Sequence, residues 1–237
     1  MNKALKVTKY QLMDTIRAGA IFYGVILAVM LLASLPLVLP SGGERGTMNG
    51  MEFATVIFLF VVGLNSFKSS FRFSLTNSVT RRDFYLGTAL SFLVLAAAFT
   101  LIDIAVYAVF HGIGTIRSNL FNDFYDGYGG WARLVGVVWS GALNLLALTG
   151  GWLITTAFYR ANKGVKIALA LSPVALQFVL AFLIRWIPGF YDALSKAWLL
   201  VSGFGTMNAQ VATLSMTVAS LLCLGVTWLL ARRAAVK

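Results

Sequence analysis

The sequence predicts an all-α integral membrane protein: six transmembrane helices, both termini in the cytoplasm, an interfacial helix at the N-terminus and a re-entrant hairpin before the last span. Three observations predict it. Of the 237 residues, 59% are hydrophobic and 11% charged, with a mean hydropathy of +0.83, whereas a soluble domain carries about 25% charged residues. Six windows are apolar over lengths that cross a hydrocarbon slab of roughly 30 Å. The charges are also one-sided. Lys3, Lys6, Lys9, Arg17, Lys68, Arg72, Arg81, Arg82, Arg160, Lys163, Lys166, Arg232, Arg233 and Lys237 fall on one side of these windows, and only Arg45, Arg117, Arg133, Arg185 and Lys196 on the other. That asymmetry is the positive-inside pattern, and it puts both ends of the chain inside. The net charge of +11 is thereby assigned to anionic lipid and a cytoplasmic protein partner rather than to nucleic acid.

Taken in order, residues 1–17 place Leu5, Leu12 and Ile16 on one helical stripe, interrupted by Lys9, and predict an interfacial helix along the inner leaflet. The apolar run that follows is too long for a cleavable signal peptide. It forms the first span, 18–39, and closes at Pro40; the Gly-rich stretch 41–50 is a short outer turn. The second span, 51–67, leads into the basic segment 68–80. Thr80 followed by Asp83 has the spacing of an N-cap, so the third span begins at Arg81 and runs without Pro to Phe110. At about 1.5 Å per residue such a helix is about 45 Å long, so its first turns stand outside the lipid.

Residues 111–130 are an outer loop with five glycines and several aromatics, expected to have no core of its own and to lie over the outer mouth. The fourth span, 131–159, contains Gly141, Gly150 and Gly151, which permit close helix approach. After a brief inner turn, the fifth span, 165–186, carries Pro173 and Gln177. Residues 189–205 are apolar for too few positions to cross and contain Asp192 and Lys196, the composition of an interfacial or re-entrant segment. The sixth span, 207–230, ends in a basic tail. The whole chain is one transmembrane domain, without repeats.

The longest polar interruption, Lys68 to Gly87, carries Lys68, Arg72, Arg81 and Arg82 against Asp83. Phe67, Phe71 and Leu75 recur every fourth position and share one helical face. Inside the spans, Asp103 is the one acid, and at that depth it must be neutralised, partnered or facing water. Helical steps put Asn144 about a turn deeper than Asp103. Two readings of Asp103 stand side by side, a polar point on a translocation path and a hydrogen bond that fixes helix packing. Glu52 is expected at the outer interface, solvated.

Several chemistries are excluded. No phosphate-binding G-x-x-x-x-G-K-[ST] loop occurs, so ATP-driven work requires a second subunit. His111 is the only histidine and Cys223 the only cysteine, which leaves no disulfide, no zinc pair and no serine–histidine pair within a span. No catalytic or metal site is expected.

The topology together with FRFSLTNSVTRRDFYLG, residues 71–87, resembles the permease subunit of a type-2 ATP-binding-cassette exporter. The segment is similar to the L-x-N-G-x-x-R-x-x-F pattern of small bacterial members, filled by Leu75, Asn77, Arg81 or Arg82, and Phe84, with Ser78 where the pattern has Gly. The resemblance implies a pair of permeases, two copies of this chain or one with a similar permease, seated on two ATPase subunits that hold the ATP and Mg. The chain itself then needs no cofactor. Residues 68–80 would be the coupling helix, with Phe71 and Leu75 as apolar anchors, Asn77 and Ser78 at its turn, and Arg72, Arg81 and Arg82 against acidic rims or lipid phosphate. The resemblance also implies the bacterial cytoplasmic membrane and export of amphipathic substrates such as antimicrobial peptides, lipids or drugs. Asp103, Asn144 and Gln177 are the candidate polar points of the path. The competing reading is a substrate-binding membrane subunit of a vitamin or metal uptake system, which would enclose its ligand within one bundle.

Overall fold

The computed structural model describes residues 3–38, 50–125 and 132–232. Most of these residues are helical and none is in a strand: α1 (Lys3–Val38), α2 (Met51–Asn65), α3 (Lys68–Thr76), α4 (Arg81–Ile113), α5 (Leu120–Phe124), α6 (Ala132–Arg160), α7 (Lys163–Trp186), α8 (Phe190–Ser202) and α9 (Ala209–Ala231). Five of them are long and apolar enough to cross a membrane, or six if the bent pair α2–α3 is one span. The largest interfaces are α2–α6, α6–α9 and α1–α4, so α6 is central, touched also by α4.

The expected break between an interfacial helix 1–17 and a first span is absent. Residues 3–17 are the first turns of α1, which runs 36 residues without interruption. The cause is packing of the residues before the supposed boundary. Thr8 donates to the Gly87 carbonyl at 2.9 Å, and Gln11 lies between Thr88 and Ser91, donating to Thr88 Oγ1 at 2.9 Å and accepting from Ser91 Oγ at 2.7 Å. The amphipathic stretch is thereby held on α4. Gly87 is required there, since a Cβ would lie 2.5 Å from the Ala4 carbonyl oxygen.

At the start of α4 the predicted cap is present: Asp83 N–H donates to Thr80 Oγ1 at 3.1 Å. The expected hairpin at 189–205 is instead a single 13-residue helix, α8, too short to cross. It turns into α9 at Gly203, whose φ of 71° is open to glycine. The part of the 111–130 loop that is described, up to Tyr125, does have a core. Leu120, Phe121 and Tyr125 are buried with Trp139, Ala209 and Ala212, and the Tyr125 hydroxyl donates to the Ser202 carbonyl. Glu52, expected to be solvated, accepts from Leu120 N–H at 3.4 Å and so fastens α2 to α5.

The closest helix contact is between α2 and α6. A Cβ on Gly63 would meet the Leu148 carbonyl oxygen at 2.3 Å, and one on Gly151 the Phe60 carbonyl oxygen at 2.3 Å. Of the three glycines singled out in this span, Gly151 makes this approach, while Gly150 has open space around it and Gly141 meets only Thr100 Oγ1 at 3.8 Å. We predict that Gly63→Ala or Gly151→Ala destabilises the detergent-solubilised protein by about 1–3 kcal/mol, the cost of overpacking a fitted contact. Gly150→Ala is expected to be neutral or to gain up to about 1 kcal/mol of helix propensity. Thermal unfolding of the three variants side by side checks both signs.

Candidate functional site

Two places gather the residues that carry chemistry. The first is the elbow at α3. The chain leaves α2 with Ser66 N–H bonded to the Gly63 carbonyl and bends by 42° into α3. Thr55, Leu59, Gly63, Phe67 and Phe71 recur every fourth residue and all are buried, so the inward stripe of α2 continues across the break. Phe67 and Phe71 stack at 4.8 Å between ring centres and meet Phe84 and Tyr159 edge-on. This aromatic cluster joins α3 rigidly to α4 and α6.

Phe71 is therefore fully buried and Leu75 packs against the same core. The expectation that these two present themselves to a partner is corrected: the shared face is real, but it points inward because it is the extension of α2's buried face. What α3 exposes instead is Lys68, Ser69, Arg72, Phe73, Thr76 and Asn77. Phe73 stacks on Tyr10 of α1 at 5.0 Å, and both rings are substantially exposed. Phe73, Tyr10 and Lys68 are absent from the expected set. Phe73 could have been found by asking which face of α3 the buried stripe leaves over.

The turn after α3 closes in the pattern of a left-handed helix end. Val79 N–H bonds the Ser74 carbonyl and Ser78 N–H the Leu75 carbonyl, each at 3.1 Å. Asn77 Nδ2 donates to the Phe73 carbonyl at 2.8 Å, and Lys3 Nζ donates to the Ser78 carbonyl at 2.7 Å, bringing the start of α1 onto the turn. Ser78 sits at φ 56°. Arg81 reaches across to cap α9, donating from Nη1 to the Arg232 carbonyl at 2.9 Å, so it is engaged within the chain. Arg82 is exposed.

The second place is Asp103, 3% exposed in the middle of α4. Its Oδ1 accepts from the Tyr23 hydroxyl of α1 and from Thr55 Oγ1 of α2, both at 2.8 Å. One turn away Asn144 of α6 donates from Nδ2 to Thr100 Oγ1 at 3.0 Å, in the depth order that helical counting gives. The packing reading of Asp103 is the one this geometry favours. Gln177 does not join them; it lies on α7, which has no buried residue. The three polar points of the supposed path are thus two separate buried bonds and one outward amide.

Among the described residues no three His, Cys, Asp or Glu side chains come together where a metal could sit. No family model, characterised protein or solved structure matches the chain.

Two predictions follow from the geometry of these places. Ser78→Gly relieves a left-handed residue of its side chain and is expected to stabilise by about 1 kcal/mol, whereas Ser78→Val destabilises; melting temperatures of the pair decide. At Asp103, Asn keeps an acceptor for Tyr23 and Thr55 and is expected to cost less than about 1 kcal/mol. Leu strands both hydroxyls and costs about 1–3 kcal/mol. Equal losses for Asn and Leu in the same unfolding assay would show that charge, not hydrogen bonding, is what matters.

Proposed function

We propose that the chain is the membrane permease half of an ATP-driven exporter in a bacterial cytoplasmic membrane, with six spans and both termini inside. A separate ATP-binding-cassette ATPase drives it through α3. The observation that carries the reading is the elbow. A short basic helix, bent out of α2 and locked to α4 and α6 by Phe67, Phe71, Phe84 and Tyr159, suits the transfer of a push from a bound partner into three long helices at once.

In this reading the contact face is Lys68, Arg72 and the Phe73–Tyr10 pair, with Arg82 at its margin. The aromatic pair is the anchor and the cations meet an acidic rim or lipid phosphate. ATP binding closes the two ATPases; α3 moves with them as a rigid piece, and α1 follows because Lys3 and Tyr10 hold it to the elbow. The permease pair then exchanges inward-open and outward-open arrangements. An apolar path between copies suits amphipathic peptides, lipids or drugs. The uptake reading, which needs a polar ligand site enclosed in one bundle, loses support because Asp103 and Asn144 are bonded to neighbouring helices and Gln177 faces outward.

The test is reconstitution with candidate ATP-binding-cassette ATPases from the same cell. Combined Arg72→Glu and Phe73→Asp is expected to weaken ATPase binding about thirtyfold, the equivalent of about 2 kcal/mol at a central contact, with folding unchanged. Phe71→Ala is expected to act oppositely, lowering stability by about 3–5 kcal/mol as a buried truncation. Failure of any ATPase to bind, or full activity of the chain without one, overturns the reading.

A further inference from the structure

The hydrogen bonds at Asp103 tie three helices together, and their pattern also bears on the state of the carboxyl. Asp103 lies ten residues from Ile113 and twenty-two from Arg81, about 15 Å and 33 Å from the ends of α4. An ionised carboxyl has two equivalent oxygens, and at such depth both have to be bonded or met by a cation. Neither is the case here. The Tyr23 and Thr55 hydroxyls both donate to Oδ1, and among the described residues no group donates to Oδ2.

No cation takes the place of the missing donors. The groups that face Asp103 are Tyr23 from α1 and Thr55 from α2. From α6 comes the neutral Asn144, bonded to Thr100, and α9 carries no charged residue between Ala209 and Ala231. On α4 itself Tyr107 and His111 stack on each other one and two turns further on, with His111 bonded to the Ile116 carbonyl. The remaining titratable neighbour is a second acid. Glu52 precedes Thr55 by one helical turn, about 5–6 Å, and its charge reaches Asp103. It is half-buried at the start of α2, with Asp123 of α5 beyond it. Two carboxyls with no cation between them do not both ionise in a medium of low polarity.

One oxygen that accepts twice beside one that accepts nothing is the pattern of a neutral acid, whose carbonyl has two lone pairs and whose other oxygen bears hydrogen. We infer that Asp103 is a proton-binding site: Oδ2 carries the proton, Oδ1 is the carbonyl that takes both hydroxyls, and Glu52 passes the proton between this site and the end of the bundle where α2 begins. On release the Oδ2–H bond breaks, the proton moves to the Glu52 carboxylate and from there to solvent, and the negative charge stays on Asp103. Oδ2 then requires a donor that the present arrangement of α1, α2, α4 and α6 does not supply. Proton occupancy is thereby linked to the way α1 sits on its neighbours. The inference asks only that α4, which is long and apolar enough, spans a membrane; it stands whether or not an ATPase drives the chain.

The experiment is infrared spectroscopy of the full chain in lipid nanodiscs at pH 7, in H2O and after transfer to D2O. A carboxylic-acid carbonyl band above the amide absorption is expected in the wild type and expected to be lost in Asp103→Asn. Tyr23→Phe and Thr55→Val each remove one donor to the carbonyl and are expected to move the same band to higher wavenumber. In D2O the band shifts as the proton exchanges, and Glu52→Gln is expected to slow that shift about a hundredfold, the usual worth of a positioned proton-transfer group. Identical acid bands in wild type and Asp103→Asn, or a band that neither hydroxyl variant moves, overturns the site. Exchange at the wild-type rate in Glu52→Gln overturns the route.

Discussion

The arrangement of this chain depends on the approach of two backbones, α2 and α6, at Gly63 and Gly151. Each glycine faces a carbonyl oxygen of the other helix, and a methyl group at either place would stand 2.3 Å from that oxygen. Between apolar helices in lipid, burial supplies no net drive, and close van der Waals contact must do the holding. The residues around the contact show its consequence. Leu148 and Trp152 on α6 are fully buried, and Trp152 stacks on Tyr85 and meets Phe92 edge-on, which brings α4 against the same seam. The elbow begins three residues after Gly63, so the place where α3 leaves the bundle is set by the same contact. Widening it would displace α3, whatever α3 touches.

Around this seam, α1 is held by polar ties spaced along its length. Thr8 bonds the Gly87 carbonyl, Gln11 lies between Thr88 and Ser91, and Tyr23 shares the Asp103 carboxylate with Thr55. Where lipid replaces water as the alternative partner, each of these groups has little to gain by leaving. A helix of 36 residues would otherwise have only side-chain packing to fix its rotation and register. Asp103 is the most demanding member, because it joins α1, α2 and α4 at one oxygen. Asp103 is only 3% exposed, so its two hydroxyl partners do the work that water would do at the surface.

Much of this was legible in the sequence, and the failures have physical causes. The long apolar helices follow from composition, the start of α4 from Thr80 and Asp83, and the break after α3 from Asn77 and Ser78, because each rests on local backbone chemistry. The shared face of Phe67, Phe71 and Leu75 was legible too, but its direction was not. Period alone does not say which side is inside; continuing the stripe back through Gly63 and Leu59 does. Gly151 stood out, whereas its counterpart Gly63 looked like one glycine in an apolar run. The hydroxyls of Tyr23 and Thr55 were invisible as partners of Asp103, since they lie 80 and 48 residues away. The continuity of α1 was missed for a like reason, its amphipathic start being read against a membrane surface when its partner is α4.

Two of the three glutamines, Gln11 and Gln177, show how differently a polar side chain can be placed on an apolar helix. Gln11 enters a buried site in which the facing helix offers a hydroxyl at Thr88 and another at Ser91, a full turn's worth of matched donor and acceptor. Gln177 has the same side chain on a helix whose neighbours offer nothing of the kind. Helices that meet within the chain have partners supplied at the right register: Thr55 for Asp103, Thr100 for Asn144, the Leu224 carbonyl for the Tyr85 hydroxyl. Such matching is what specifies one arrangement of helices among many of equal hydrophobicity. Where the match is missing inside the bundle, as at the buried Trp139 and Trp152 indole N–H groups and the Thr115 hydroxyl, the group costs its desolvation and adds nothing to the choice of arrangement, so the specifying is done by the matched pairs alone.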